Sequence, residues 1–271
     1  MATTKLSTDV IDLSSNTEAL TIPSGNTGPD TTDTTGTCNY PTTATALYQF
    51  DDNVADTCNN YNGTAYNLNA YVAGKFGKAA SFNGTNSRVD ITSPIGQNAS
   101  NENDDFSVSL WVYWLSITGT AGGFNGALSG NGNGSSYSSF ALYSYGNAAG
   151  ISVALERYFN NTGYYSSGYL AAAPFAAVIN TWYNLVFTYA GSTKTVTTYV
   201  DGTALPTYTL NTNAGSRTMN PLNSFGSYNG SSFGHLGYLD QIRIFPSALS
   251  QPDVTKLQNE TTTSGASSWR N

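Results

Sequence analysis

Charged side chains are scarce in this chain. Asp, Glu, Lys and Arg make up 10% of its 271 residues, against about 25% in an ordinary soluble domain. Polarity comes instead from Asn, Ser, Thr and Gly, and the net charge is −7. An acidic chain with scattered Lys and Arg lacks the basic stripe that binds nucleic acid and is not attracted to an anionic membrane. We therefore predict no nucleic-acid partner and no membrane insertion.

Long apolar runs are also missing. The longest, residues 169–179, contains Pro174, whereas a spanning helix needs about 20 apolar residues. The N-terminus carries Lys5, Asp9 and Asp12 and has no apolar region of the kind found in secretory signal peptides. We expect the protein to stay in the producing cell until lysis or to leave it by another route.

Residues that usually carry catalysis are few. A single His, His235, excludes a His-based metal cluster. Glycoside hydrolysis needs two carboxylates about 5–9 Å apart, and the chain has four Glu residues: Glu18, Glu102, Glu156 and Glu260. Glu156 alone falls in a predicted mid-domain strand, and no other acid is close to it in sequence. The sequence therefore predicts a protein that is not an enzyme.

Cysteine is limited to Cys38 and Cys58. Two thiolates cannot form a zinc site by themselves. A disulfide between them would close a loop of about 20 residues and stabilise the fold by roughly 3 kcal/mol, and both flank a predicted strand at 44–50. Assembly in a reducing cytosol would delay that bond. The sequence leaves the bridged and the reduced states open.

Residues 1–39 differ from the rest of the chain because they contain no aromatic side chain. The Thr-rich stretch 25–37 is typical of a linker. Before it, apolar and polar residues alternate around Val10, Leu13 and Ile22. This segment cannot bury a core, so we predict one or two short strands that pair with a partner. The predicted domains are 1–39, 40–260 and a tail at 261–271.

From residue 40 the pattern is that of strands. Short runs alternate between apolar and polar residues and are rich in β-branched and aromatic side chains. The predicted strands are 44–50, 78–82, 88–91, 106–115, 140–145, 151–159, 182–189, 195–200, 224–228 and 238–245. Many short strands separated by turns are typical of a sandwich or jelly roll.

The run DFSVSLWVYWL shows this alternation most clearly. One face is apolar: Phe106, Val108, Leu110 and Val112. The other face mixes small polar and aromatic residues: Ser107, Ser109, Trp111 and Tyr113. We expect the first face to pack in the core and the second to be amphipathic.

Two local signals are specific. Asp201-Gly202 separates two alternating runs and predicts a hairpin, because both turn positions need positive φ. A single helix is predicted at 250–260, with Ser250 as its N-cap and Asp253 in the acidic position of a capping box.

Several sequence blocks resemble laminin-G-like jelly rolls of the concanavalin A type. They are ALYQFDD with Asp56 and Asn62-Gly63 after it, GKFGKAASFNG at 74–84, FSVSLWV, TWYNLVFTY, YVDG, and LDQIRIF followed by ALS. Their order and spacing match the family over roughly residues 44–260. The resemblance implies an all-β, two-sheet antiparallel jelly-roll sandwich preceded by a short extended segment. Such folds serve mostly in recognition, although function depends on individual sites.

The resemblance also implies one structural Ca²⁺. Related jelly rolls bind it with the end of the first strand, a Gly-rich turn and an acid before the last strand. By position these are Asp51 or Asp52, the turn at Gly84, and Asp240. Carboxylates, carbonyls and water are the oxygen ligands that Ca²⁺ prefers. The alternative is that Asp240 only hydrogen-bonds neighbouring backbone, or Arg88 or Arg243.

A candidate carbohydrate site falls in the Tyr- and Asn-rich stretch 137–169. Aromatic faces stack on sugars and amides bind hydroxyls. The candidate residues are Tyr137, Tyr143, Tyr145, Tyr158, Asn160, Tyr164 and Tyr165. The alternative is that these rings cover the sandwich and keep their hydroxyls in water.

The N-terminal segment resembles attachment segments on structural proteins of tailed bacteriophages. This implies a virion appendage, a tail or capsid fibre, whose residues 1–36 contact other virion proteins and whose jelly roll binds a host-surface glycan. Such appendages are often trimeric, assemble in the host cytoplasm and then become extracellular. Two alternatives stay open: a capsid decoration or tail-structural protein that contacts other virion proteins, and a secreted bacterial adhesin or carbohydrate-binding module.

Overall fold

The computed structural model describes residues 36–68, 70–91, 104–116, 124–130, 140–147, 150–157, 177–209, 222–227 and 234–260. All of them belong to one compact unit, Thr32–Asn271. The predicted attachment segment and the tail at 261–271 lie outside the described residues. The domain limits at residues 39 and 260 therefore stay predictions.

The described residues form fifteen strands and one helix. The strands are β1 (Ala46–Tyr48), β2 (Gly63–Tyr66), β3 (Ala70–Ala73), β4 (Lys78–Asn83), β5 (Arg88–Ile91), β6 (Phe106–Trp114), β7 (Phe124–Gly130), β8 (Phe140–Asn147), β9 (Gly150–Arg157), β10 (Trp182–Ala190), β11 (Thr195–Val200), β12 (Thr203–Ala204), β13 (Tyr208–Thr209), β14 (Leu222–Phe225) and β15 (Leu236–Phe245), and the helix α1 is Gln251–Gln258.

These strands pair into two antiparallel sheets. The nine-stranded sheet follows the order β12-β11-β10-β6-β15-β4-β3, with β1 paired to β15 and β13 to β11. The six-stranded sheet follows the order β2-β5-β14-β7-β8-β9. Long-range pairs such as β4 with β15 join strands that are more than 150 residues apart in the sequence. The predicted all-β, two-sheet sandwich is confirmed.

The main core lies between the two sheets. The predicted apolar face of β6 is buried here, together with Phe187 of β10 and Ile244 of β15. The six-stranded sheet contributes Val89 and Ile91 of β5 and Phe225 of β14. Strict alternation along these strands produces this core, because every second side chain points to the same side of a sheet.

The opposite face of the nine-stranded sheet, its outer face, is buried over much of its area. Ser107, Ser109 and Trp111 are at most 2% exposed. Val254 and Leu257 of α1 pack on this face in a second apolar cluster. The face has the predicted mixture of small polar and aromatic residues, but most of it is buried, because elements remote in sequence cover it.

The predicted helix and hairpin are both confirmed. Ser250 caps α1 in an extended conformation, and its hydroxyl accepts a hydrogen bond from the backbone N–H of Asp253. Asp201 and Gly202 have φ of +48° and +76°, and β11 and β12 pair on either side of them. α1, the helix of the described part, lacks the length and apolarity needed to cross a membrane.

The C-terminal end of α1 is held by a buried ion pair. The Glu260 side chain is 0% exposed and that of Arg243, on β15, is 1% exposed. Arg243 Nη1 donates to Glu260 Oε2 at 2.8 Å, and Nη2 donates to Oε1 at 2.5 Å. Two parallel bonds give this pair the geometry that offsets the cost of removing both charges from water.

The start of the domain is attached to the same helix. Cys38 and Cys58 form a disulfide with a Cα–Cα distance of 5.6 Å. The hydroxyl of Tyr40, two residues after Cys38, donates to the carbonyl of Lys256 at 2.9 Å. Tyr40 and Cys58 also pack against the apolar cluster under α1. The segment before β1 thus helps to close the outer layer.

We predict that Glu260→Ala lowers the free energy of unfolding by about 3–5 kcal/mol, because it leaves the Arg243 guanidinium buried without its partner. Urea denaturation of the full chain measures this value. The control is Lys256→Ala, which removes an exposed i,i+3 pair with Asp253 and should cost less than about 1 kcal/mol. Equal losses in the two variants would contradict the assignment.

Candidate functional site

A β-bulge in β15 determines which of its side chains reach the outer face. The register between β15 and β6 shifts between Asp240 and Arg243, and Gln241 has φ of +47°. Asp240 therefore pairs with Trp111, and Arg243 pairs with Ser109. Without the extra residue, one of the two charged side chains would face the apolar core.

The outer face consequently carries residues in rows that cross β10, β6 and β15. We call Asn184, Trp111 and Asp240 the middle row, and Trp182, Tyr113 and Tyr238 the aromatic row. The middle row is buried, whereas the aromatic row is partly exposed.

Asp240 is the acid of the middle row, and its pKa is strongly raised. It is 0% exposed, and its Oδ2 accepts a hydrogen bond from the backbone N–H of Phe76 at 3.0 Å. Burial, and to a smaller extent the charge of Asp51, raises the pKa of Asp240 from 3.8 to about 8. Its Oδ1 is buried and has no partner among the described residues.

The turn at residues 74–77 brings the carboxylates of Asp51 and Asp240 to one place. A Cβ on Gly77, which has φ of +53°, would lie 2.4 Å from Asp51 Oδ1. A Cβ on Gly74 would lie 2.6 Å from Asp240 Oδ2. Asp51 Oδ1 also accepts the backbone N–H of Lys78 at 2.6 Å. Glycine is required at both positions for this close approach.

This arrangement partly fits a Ca²⁺ site. An orphaned, buried carboxylate oxygen on Asp240 next to a second carboxylate, Asp51, suits a hard cation. No group of three or more His, Cys, Asp or Glu side chains in the described ranges could hold a metal. A bound Ca²⁺ would therefore take its other ligands from backbone carbonyls and water.

Two of the predicted ligands lie elsewhere. Gly84 donates its N–H to His235 O at 2.8 Å. Leu239, the residue before Asp240, pairs with Ala80 of β4. Gly84 lies four residues beyond Ala80, which places it about 13 Å from that pair along the strand direction. The Asp52 carboxylate is 63% exposed and forms an ion pair with Lys78 Nζ at 2.6 Å. The turn at 74–77 takes the place that sequence reasoning gave to Gly84.

The proposed alternative partners of Asp240 are engaged elsewhere. Arg88 Nε donates to Asp90 at 2.9 Å, and Arg243 is paired with Glu260. The backbone part of that alternative agrees with the bond from Phe76. Asp56, another acid of the family-like blocks, organises its own loop. Its two carboxylate oxygens accept four backbone N–H groups, one from Leu47 and three from the residues that follow Asp56.

The aromatic row was missed by sequence reasoning. Ring centroids of Tyr113 and Tyr238 are 5.0 Å apart with planes 23° from parallel, and those of Tyr113 and Trp182 are 5.3 Å apart. Alternation in 106–114 places Tyr113 opposite the core, but nothing in the sequence gives the register that brings Trp182 and Tyr238 beside it.

Two of the seven predicted carbohydrate-binding residues belong to the described part of the chain. Tyr143 and Tyr145 belong to β8, where they pair with Ala154 and Ser152 of β9. The other candidates lie outside the described residues: Tyr137, Tyr158, Asn160, Tyr164 and Tyr165. This site stays a prediction.

His235 is a structural residue in this fold. It is 0% exposed, and its ring packs edge-on against Phe82 with centroids 5.9 Å apart. Burial lowers its pKa from 6.5 to about 4. A neutral imidazole enclosed in this way has no access to a substrate.

A family model described as the concanavalin A-like lectin/glucanases superfamily matches residues 83–255. The chain belongs to this superfamily. The match covers more than half of the sequence and includes the strands that form both rows of the outer face. No curated protein matches the chain.

Several solved structures share the fold of this chain at low sequence identity. Domain 4 of AbnA, a GH43 extracellular arabinanase from Geobacillus stearothermophilus, solved in complex with arabinotriose, is 23% identical, with a TM-score of 0.57 and coverage of 79% of this chain and 98% of that one. The botulinum neurotoxin serotype D binding domain is 12% identical, with a TM-score of 0.54 and coverage of 80% and 50%. The binding domain of Paraclostridial Mosquitocidal Protein 1 is 19% identical, with a TM-score of 0.51 and coverage of 79% and 51%.

Asp240 and His235, two buried groups with shifted pKa values, predict an unusual pH dependence in the presence of a chelator. The folded state keeps a proton on Asp240 between pH 3.8 and about 8, where the unfolded chain has lost it, so stability falls as pH rises. The folded state lacks a proton on His235 between about pH 4 and 6.5, so stability rises there. The slopes oppose each other up to pH 6.5, and we expect a decline between pH 6.5 and about 8.

Thermal melts across this pH range in EDTA test the prediction. Asp240→Asn should remove the decline above pH 6.5 and leave a rise between pH 4 and 6.5. A wild-type Tm that is constant from pH 6.5 to 8 would show that Asp240 titrates at its ordinary pKa.

Proposed function

We propose that this protein is a non-catalytic virion appendage of a tailed bacteriophage whose jelly roll binds a host-surface carbohydrate. Residues 1–36 attach it to the particle, and three copies assemble into one appendage. Many such sites on a particle would bind a cell surface tightly even if each is weak, because linked sites act at high effective concentration.

The observation that carries carbohydrate binding is the likeness to domain 4 of the arabinanase. That domain was solved with arabinotriose, and 98% of its length aligns with this chain. The likeness therefore extends over a whole carbohydrate-bound domain. The botulinum serotype D domain solved with N-acetylneuraminic acid, 13% identical, adds a second sugar-bound relative.

The acids of the chain support a role without catalysis. Glu260 is consumed by its buried ion pair with Arg243. Asp240 and Asp51 face a backbone turn. Glycoside hydrolysis would need two accessible carboxylates on either side of a sugar, a role that neither the paired, buried Glu260 nor the enclosed Asp240 can take.

One structural Ca²⁺ completes the proposal. Asp240 and Asp51 would hold it together with backbone carbonyls of the turn at 74–77. The cation would stabilise the buried carboxylate of Asp240 and offset its repulsion by the exposed carboxylate of Asp51. It would connect the loop after β1 to the central strand β15.

Glycan binding by the full chain tests the function. We expect the purified protein to bind members of a glycan array that includes arabinotriose and N-acetylneuraminic acid, and to release no reducing sugar from any polysaccharide it binds. Absence of binding across the array would contradict the proposed function, and turnover would contradict its non-catalytic part.

Particle association tests the attachment role. A chain lacking residues 1–36 should keep its array profile and lose its place on purified phage particles. Unchanged incorporation of the shortened chain would contradict this role of the segment.

Calcium is tested by thermal stability. About 1 mM CaCl₂, near the weak end of calcium affinities of extracellular modules, should raise Tm relative to EDTA by selective binding to the folded state. Asp240→Asn should abolish the increase. Asp52→Asn is the matched control, since Asp52 is paired with Lys78 at the surface, and should keep it. A full calcium response in Asp240→Asn would overturn the site.

A further inference from the structure

We propose that the aromatic row, Trp182, Tyr113 and Tyr238, is the floor of the carbohydrate site, which binds a neutral oligosaccharide of two or three units. This inference rests on the proposed function and places the site on the nine-stranded sheet instead of in the stretch 137–169.

The first argument is exposure. α1 covers one end of the outer face through Val254 and Leu257. The middle of the face is covered where the ring of Phe76 packs edge-on against Trp111, with centroids 5.8 Å apart. In the described part of the chain, the aromatic row at the far end has no comparable cover, and its three rings are partly exposed.

The second argument is the concentration of exposed apolar side chains. The large apolar side chains exposed in the described ranges are Tyr66, Leu115, Val178 and Ile179. Three of the four border the aromatic row. Leu115 follows β6 and donates its N–H to Leu236 O, while Asn180, next to Ile179, donates to Trp114 O at 2.8 Å. Single exposed apolar side chains are common on protein surfaces, but these three stand together beside three partly exposed aromatic rings, which favours a ligand site at this end of the face.

The third argument is hydrogen-bonding capacity one row deeper. Asn184 is 1% exposed, and neither its amide nitrogen nor its amide oxygen has a partner among the described residues. The same holds for Nε1 of Trp111. Both lie on the same face as the aromatic row and are its neighbours in register. Buried polar groups need a partner, which a sugar hydroxyl or a bridging water would supply.

The chemistry of the patch fits a neutral sugar. Trp and Tyr combine an apolar ring with a polar N–H or O–H, which matches the apolar faces and hydroxyl rims of a pyranose or furanose. None of the six side chains at this end, three aromatic and three aliphatic, is charged. The ammonium of Lys75 lies over the Trp111 ring of the middle row, 4.2 Å from its centroid.

The size of the patch favours an oligosaccharide over a second copy of the chain. Three adjacent strands span about 10 Å at ~4.8 Å per strand, so the aromatic row and the aliphatic side chains beside it present on the order of 100–200 Å². A stable protein interface buries about 800 Å² on each partner. A strip of this width accommodates a few sugar rings.

Three alanine variants test the location. Trp182→Ala and Tyr238→Ala should each weaken binding of the tightest array glycan by about tenfold or more in calorimetry, the equivalent of roughly 1.4 kcal/mol. Tyr66→Ala is the matched control, because Tyr66 is 41% exposed on β2 of the other sheet, and should leave affinity unchanged. Thermal melts show whether each variant is folded.

Fluorescence gives a second measurement that does not depend on an alanine variant folding. The fourth tryptophan of the chain, Trp269, lies outside the described residues and is replaced by Phe in every protein of this measurement. Trp111 and Trp114 are buried, so titration with the same glycan should change the emission of the partly exposed Trp182. Trp182→Phe should abolish that change while affinity stays within about tenfold of wild type. A response that persists in Trp182→Phe would overturn the proposed location.

The remaining outcomes separate the location from the function. Loss of glycan binding in a Tyr143→Ala, Tyr145→Ala double variant with full affinity in Trp182→Ala would overturn the location and leave the function intact. If Trp182→Ala changes the mass measured by analytical ultracentrifugation and leaves glycan affinity unchanged, the aromatic row is an interface between copies of the chain. That result would overturn the proposed location of the carbohydrate site. Absence of binding of wild type to any array glycan would overturn the function and the location together.

Discussion

The pairing of β15 with β6 is the constraint on which the rest of the structure depends. β15 lies inside the nine-stranded sheet, with β6 on one side and β4 and β1 on the other. Its bulge lets Ile242 enter the core while Asp240 and Arg243 both reach the outer face. One additional residue in one strand thereby positions a buried acid beside the 74–77 turn and a buried cation beside Glu260. A slip of one residue would exchange the two faces and bury these charges among apolar side chains.

The outer face changes in character from one end to the other, and each part has its own physical reason. At the α1 end, apolar packing and the Arg243–Glu260 pair close the surface. In the middle row, the carboxylate of Asp240 is enclosed at a pKa of about 8, a costly state that a proton or a cation relieves. At the far end, the three rings of the aromatic row are partly exposed. Stability is therefore concentrated away from the proposed carbohydrate site, as expected for a recognition surface on a rigid scaffold.

Sequence reasoning succeeded where local pattern decides the outcome. The predicted ranges 88–91 and 195–200 are β5 and β11, and Ser250 and Asp201-Gly202 act as a helix cap and a hairpin turn. The predicted strands omit β2, β3, β7 and the two-residue strands β12 and β13. The sequences of the first three, GTAY, AYVA and FNGALSG, are rich in Gly and Ala and show weak alternation. These strands form because neighbouring strands offer hydrogen-bond partners. The same limit explains why Gly84 was placed beside Asp240. Which of the two glycine turns, the one at Gly84 or the one at 74–77, lies near Asp240 depends on the long-range register of β4 and β15.

By itself the sequence determined the all-β class, the two-sheet sandwich, the apolar core face of β6 and the family resemblance, because alternation and turn chemistry act over a few neighbouring residues. It also placed Asp51 or Asp52 and Asp240 among the candidate calcium ligands. The tertiary structure decided that the second face of β6 is mostly buried, that the 74–77 turn rather than Gly84 meets Asp240, and that Trp182, Tyr113 and Tyr238 stand side by side. Those outcomes depend on strand register and on covering elements far away in the chain, and neither is encoded in local periodicity.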